Sequence, residues 1–89
     1  MESYVCRREQ IIPGILVQHF KSELTDKPYV YRIDRLAEHT STGQQLVVYT
    51  DIQSLETWAR PLEEFLSEVD HEKYYRSSWI HRFKIISER

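Results

Sequence analysis

A chain of 89 residues, 40% apolar and 12% aromatic, can build one small core but not two. Its 12 lysines and arginines against 14 acids leave a net charge of −2, which removes the strongly basic footprint of a dedicated duplex-DNA binder. The single Cys6 cannot close an internal disulfide, and no run of about 18 apolar residues offers a membrane span, so a cytoplasmic protein without membrane attachment is expected.

Residues 1–12 read as an N-terminal arm of undefined structure, and Pro13-Gly14 opens a single domain over residues 13–89. Ile15 to Phe20 is a short apolar run with β-branched content, which predicts a first strand. A polar stretch ending in Thr25-Asp26-Lys27-Pro28 signals a turn, and Tyr29 to Leu36 then alternates as a second strand. Its two-residue period puts Tyr29, Tyr31 and Ile33 on one face and Arg32 and Asp34 on the other. Leu36-Ala37 breaks the alternation, so a bulge or bend is expected there. Thr40-Ser41-Thr42-Gly43-Gln44 has the composition of a hairpin loop leading into a third strand, Gln45 to Thr50.

Trp58-Ala59-Arg60 predicts a short fourth strand pairing back on the third. Pro61 ends it and suits the first turn of a helix, in which Leu62, Phe65 and Leu66 share an apolar face. After a charged connection, Trp79 to Ile86 reads as the last strand. Five short strands with one helical turn describe a mainly β fold, a small barrel.

The pieces Pro13-Gly14, His19-Phe20-Lys21, Tyr31-Arg32-Ile33, Ala37-Glu38-His39, Leu46-Val47-Val48-Tyr49 and Trp58-Ala59-Arg60-Pro61-Leu62 with Phe65 occur in the order and near the spacing of a small bacterial family, the domain of unknown function 1653. The chain resembles that family over most of its length, which implies an SH3-like β-barrel and brings no established activity. It departs from the family pattern at Ser22, where glycine usually follows the His-Phe-Lys triplet, and at Ile52-Gln53-Ser54, which replaces an aromatic-glycine pair.

For chemistry, His19, His39, His71 and His81 lack the close spacing of a metal site, and no cofactor motif is present. Cys6 has Arg7 and Arg8 beside it but no base assigned to it, and Glu63-Glu64 point in different directions on a helical turn, so no catalytic group is nominated. Two constellations remain. His19, Lys21, His39 and Arg60 could converge as donors to a small anionic ligand, the plainer alternative being local hydrogen bonds at strand ends. Tyr31, Tyr49 and Trp58 could form a shallow aromatic groove for peptides or bases, the plainer alternative placing Trp58 inside or at the edge of the core. Arg60 either stacks on a ring or clamps Glu63 or Glu64.

Charge is also segregated: Asp51 to Glu72 holds seven acids against Arg60, for −6, whereas Lys73 to Arg89 holds five bases against Glu88, for +4, with Tyr74, Tyr75, Trp79 and Phe83 interleaved. This tail reads either as a solvated or internally paired segment or as a basic-aromatic surface for single-stranded nucleic acid or an acidic peptide. Nucleic acid is not the favoured partner overall. A binding module for a protein or peptide partner is the leading reading, with an anionic-ligand or enzymatic pocket second and homodimerisation through the arm of residues 1–12 or an open sheet edge third.

Overall fold

The computed structural model describes residues 11–25 and 28–87, which places Cys6 and residues 1–10 of the expected arm outside the described part. Five strands, β1 (Leu16–His19), β2 (Val30–Glu38), β3 (Gln45–Asp51), β4 (Thr57–Pro61) and β5 (Phe83–Ser87), form one antiparallel sheet in the order β4-β3-β2-β1-β5. The fold is mainly β, as the alternating segments predict.

The β2–β3 hairpin turns where expected. His39 and Gln44 face each other through the His39 N–H to Gln44 C=O bond of 2.8 Å, and Gly43 adopts φ +74°, a conformation that costs glycine little. The bulge falls between Ile33 and Arg35 rather than at Leu36-Ala37. Asp34 is the extra residue, and its carboxylate accepts a 2.5 Å hydrogen bond from the Thr50 hydroxyl, which in turn lies 2.8 Å from the Thr57 hydroxyl. A polar chain thus ties three strands together at the bulge.

Two short helices are present where one was expected. Pro61 leads into α2 (Leu62–Phe65), which buries Leu62 and Phe65 as the apolar spacing requires. The additional turn, α1 (Lys21–Leu24), follows directly on buried Phe20, whose carbonyl accepts the Glu23 N–H at 3.0 Å. Ser22, where the family pattern has glycine, accepts the Tyr29 N–H at 2.8 Å and holds this turn against the start of β2.

The last strand is shorter than Trp79 to Ile86. Before Phe83 the chain is held by other contacts: Glu68 and His81 form an isolated bridge, the Arg82 N–H donates to the Ser67 carbonyl at 3.0 Å, and His71 Nε2 lies 2.8 Å from the Trp79 carbonyl oxygen.

The core gathers on one face of the sheet, with Ile15, Val17, Ile33, Val47, Phe65 and Phe83 essentially inaccessible. Phe65 and Phe83 stack at 4.0 Å with their planes 6° apart, joining α2 to β5. Ile11 is also buried in this cluster, so packing begins before Pro13 and the expected arm of residues 1–12 contributes to the domain. No described helix is long and apolar enough to cross a membrane.

Candidate functional site

The strand register decides which side chains meet. Tyr49 lies opposite both Ile33 on β2 and Trp58 on β4, while Val47 lies opposite Arg60. Because side chains alternate along a strand, Tyr31, Tyr49, Trp58 and Arg60 all project from the core face, at the end of the sheet away from the β2–β3 hairpin. With Ala59, Pro61 and Glu64 they line a solvent-open groove of about 340 Å³.

The rings pack on one another. Tyr31 meets Tyr49 edge-on at 5.1 Å and Trp58 edge-on at 6.1 Å, and Tyr49 and Trp58 are tilted at 6.3 Å. Such centroid spacings are those of favourable aromatic pairs, leaving no gap between rings for an inserted cation. Tyr49 is 5% exposed and forms the floor, whereas Trp58 is 42% exposed and forms the rim. Trp58 is therefore not a core residue: β4 is paired only on its β3 side, and its tryptophan leans outward over the groove.

Arg60 does both things expected of it. Its Nε donates to the Tyr49 hydroxyl at 3.2 Å, its Nη1 pairs with Glu64 Oε1 at 3.2 Å, and its guanidinium carbon lies 5.7 Å from the Phe83 ring centroid. Of the five N–H donors a guanidinium carries, two are thereby engaged and three remain for a ligand. Glu64, Pro61 and Phe83 complete the site and were not singled out as site residues from sequence. The four-residue spacing of Arg60 and Glu64 was the available signal for the first of these.

His19 lies beneath the groove, on the core face of β1. Its ring meets Phe83 edge-on at 4.9 Å, and its Nδ1 accepts the Lys21 N–H at 3.1 Å. Burial first, then the charges of Arg60, Lys21 and Arg82, lower its pKa to about 3, so it is neutral over the physiological range. Tyr31 is pushed the other way, to about 12, by burial and then by neighbouring Tyr49, Asp51 and Tyr29, against a small opposing effect of Arg60.

The other two candidates go elsewhere. Lys21 reaches from α1 to Tyr74, with its Nζ 5.7 Å from that ring centroid. His39 is exposed at the β2–β3 hairpin, where its Nδ1 accepts the Ser41 N–H at 3.1 Å. Eight positions along β2 separate His39 from Tyr31, about 25 Å at the rise of a strand. His19, Lys21, His39 and Arg60 therefore do not face one cavity. Among the described residues no group of three or more His, Cys, Asp or Glu side chains is placed to hold a metal ion.

The family described as "Protein of unknown function (DUF1653)" matches residues 16–85, and the chain belongs to it. No curated protein and no solved structure matches the chain.

Proposed function

We propose that this member of the family is a non-enzymatic binding module, an SH3-like barrel whose groove between Tyr31, Tyr49, Trp58 and Arg60 takes an extended, proline- or apolar-containing segment of a protein partner. The observation that carries this reading is the convergence of three aromatic rings and a partly engaged guanidinium on one open groove. Flat aromatic surface beside a proline suits a preformed extended chain, and the free donors of Arg60 suit its carbonyl or carboxylate groups. The strand order, with β5 joining β1 and α2 lying between β4 and β5, supports the SH3-like description. Tyr31 at about 12 and His19 at about 3 both stand far from neutral pH, so neither is poised there as a general acid or base.

An amide and side-chain NMR titration against proline-rich peptides, nucleotides and short single-stranded RNA tests the reading. Saturable shifts of the Trp58 indole and Arg60 Nε signals with a peptide are expected, weakened at least about tenfold by Trp58→Ala, as for an aromatic anchor at an interface. Silence of these signals at millimolar peptide, or their response to nucleotides alone, counts against it. Sedimentation showing a dimer that buries Trp58 would replace the foreign partner by a second copy.

A further inference from the structure

A second groove, of about 340 Å³, lies between α1 and the loop of residues 70–78, lined by Glu23, Leu24, Lys73, Tyr74, Tyr75 and Arg76. Its charges are arranged unlike those of the first. Two ammonium groups converge on one phenol ring, Lys21 Nζ at 5.7 Å and Lys73 Nζ at 5.4 Å from the Tyr74 centroid. Nearby, Lys84 Nζ sits 4.1 Å from the Trp79 centroid. Among the described residues the ion pairs at contact distance are Arg32–Asp34 and Arg60–Glu64, so Lys21, Lys73 and Arg76 touch no carboxylate, while Lys84 acts on Glu23 through its charge at longer range.

The acids close by are occupied in holding the loop. Glu23 accepts the Ser77 hydroxyl at 3.0 Å and the Ser78 N–H at 2.8 Å on one oxygen and the Ser78 hydroxyl on the other. Asp70 accepts the N–H groups of Glu72 and Lys73 at 3.1 and 3.4 Å, and Glu72 is exposed on the same turn. Partial loss of solvent pushes the Tyr74 phenol up, but the charges of Lys21 and Lys73 outweigh it and hold the pKa below its ordinary value. Lys21, Lys73, Arg76 and Lys84 outnumber Glu23, Asp70 and Glu72 here by one, against an overall charge of −2.

Beside these cations Tyr75 is 76% exposed, the most exposed of the large apolar and aromatic side chains among the described residues, and Tyr74 is anchored edge-on to Phe20 at 4.8 Å. One ring is thus fixed by the core while its neighbour in sequence offers a bare face. We propose that this groove binds single-stranded nucleic acid, Tyr75 stacking on a base while Lys21, Lys73 and Arg76 follow the phosphates. A free aromatic face within reach of several exposed cations is the combination that single strands use; an acidic peptide would use the cations but gain little from the ring. A duplex hides its base faces and calls for a larger basic surface than this one. The inference is independent of the Trp58 groove.

Fluorescence anisotropy of a labelled oligothymidine of about ten nucleotides, titrated with the full chain at several salt concentrations, is the test. Three phosphate contacts predict a log–log salt slope of about −2. Tyr75→Ala should weaken binding about tenfold without changing that slope, and the double variant Lys21→Gln/Lys73→Gln should flatten it by about 1.4. Trp58→Ala should leave oligonucleotide affinity unchanged, which separates this site from the first groove. All these positions are at the surface, and an unchanged circular dichroism spectrum confirms the fold of each variant. No binding at high micromolar protein, insensitivity to Tyr75→Ala, or equal affinity for a glutamate-rich peptide of the same charge overturns the proposal.

Discussion

The two grooves are of equal volume and both combine aromatic rings with cations, yet they are built on opposite electrostatic plans. At the sheet groove the one central cation is partly engaged internally: Arg60 donates to Tyr49 and pairs with Glu64 above a phenylalanine stack. At the loop groove no cation forms an ion pair at contact distance, and Glu23 spends its hydrogen bonds on tying down the loop. A site of the first kind is fixed by its own hydrogen bonds and selects by shape. One of the second kind attracts over a Debye length and weakens with salt.

Acid should break the first region before the second. His19 lies under the sheet groove with a folded pKa of about 3 against an ordinary 6.5. The unfolded chain takes up this proton near 6.5 and the folded chain only near 3, so the contribution is complete above pH 6.5 and is lost as pH falls through that window. At about 1.4 kcal/mol per unit, the loss approaches a limit of about 5 kcal/mol at pH 3. Denaturant midpoints measured between pH 7 and 3 should fall accordingly, and less steeply in His19→Asn, which retains an acceptor for the Lys21 N–H.

Removing the ring stacked on Phe83 comes next in size. Phe65→Ala empties a fully buried site stacked on Phe83 and should cost about 3–5 kcal/mol, read as a drop in Tm. Where the variant still folds, Trp58 fluorescence should report a disturbed sheet groove while the Glu23-held loop keeps its signals. Arg60→Gln is smaller: it strips the Tyr49 hydroxyl and Glu64 of a shared donor, for about 1–2 kcal/mol in urea unfolding. A double-mutant cycle with Glu64→Gln should assign no more than about 1 kcal/mol of this to the ion pair, whose glutamate is half exposed.

The smallest effect belongs to the loop. Desolvation pushes the Glu23 pKa up, but hydrogen bonds from Ser78 and Ser77 and the charge of Lys84 outweigh it, so it lies below its ordinary 4.5. The tie to Ser78 is therefore complete above pH 4.5 and is lost as pH falls through the lower folded value. The Ser78 amide resonance should follow that titration, and Glu23→Gln should shift it at neutral pH without moving Trp58. Movement of both grooves together would mean that they are not independent.

The sheet was readable wherever a short period coincided with turn chemistry. The β2–β3 hairpin, β4 and the helical turn after Pro61 all carried such signals, and α2 buries Leu62 and Phe65 as their spacing required. The pairings of β2 with β3 and of β4 with β3 were readable from the turns between them, but the partner of β5 was not, since alternation says which face a residue takes and not which distant strand lies beside it. That β5 joins β1, and that Phe83 thereby packs beneath Arg60 and Tyr49, is a tertiary fact. The cluster of Tyr31, Tyr49, Trp58 and Arg60 follows from period two on three consecutive antiparallel strands and was accessible. His39 shares that sheet but sits at its far end, a separation visible only once the hairpin register is known. His19 shows the limit from another side: nothing local distinguishes a histidine that binds from one that is buried beneath the binding surface.

The union of β1 with β5 also bears on how the molecule comes together. His19 and Phe83 are 64 positions apart, whereas Glu38 and Gln45, which close the hairpin, are 7 apart. Loop closure over the longer span costs about 2 kcal/mol more, so the hairpin strands assemble first and β5 arrives late. Until it does, one side of β1 is an unpaired row of amides and carbonyls beside an uncovered Phe65. Crowded chains caught at that stage can lend one another the missing strand, and rapid dilution during refolding is the condition that favours each chain finding its own.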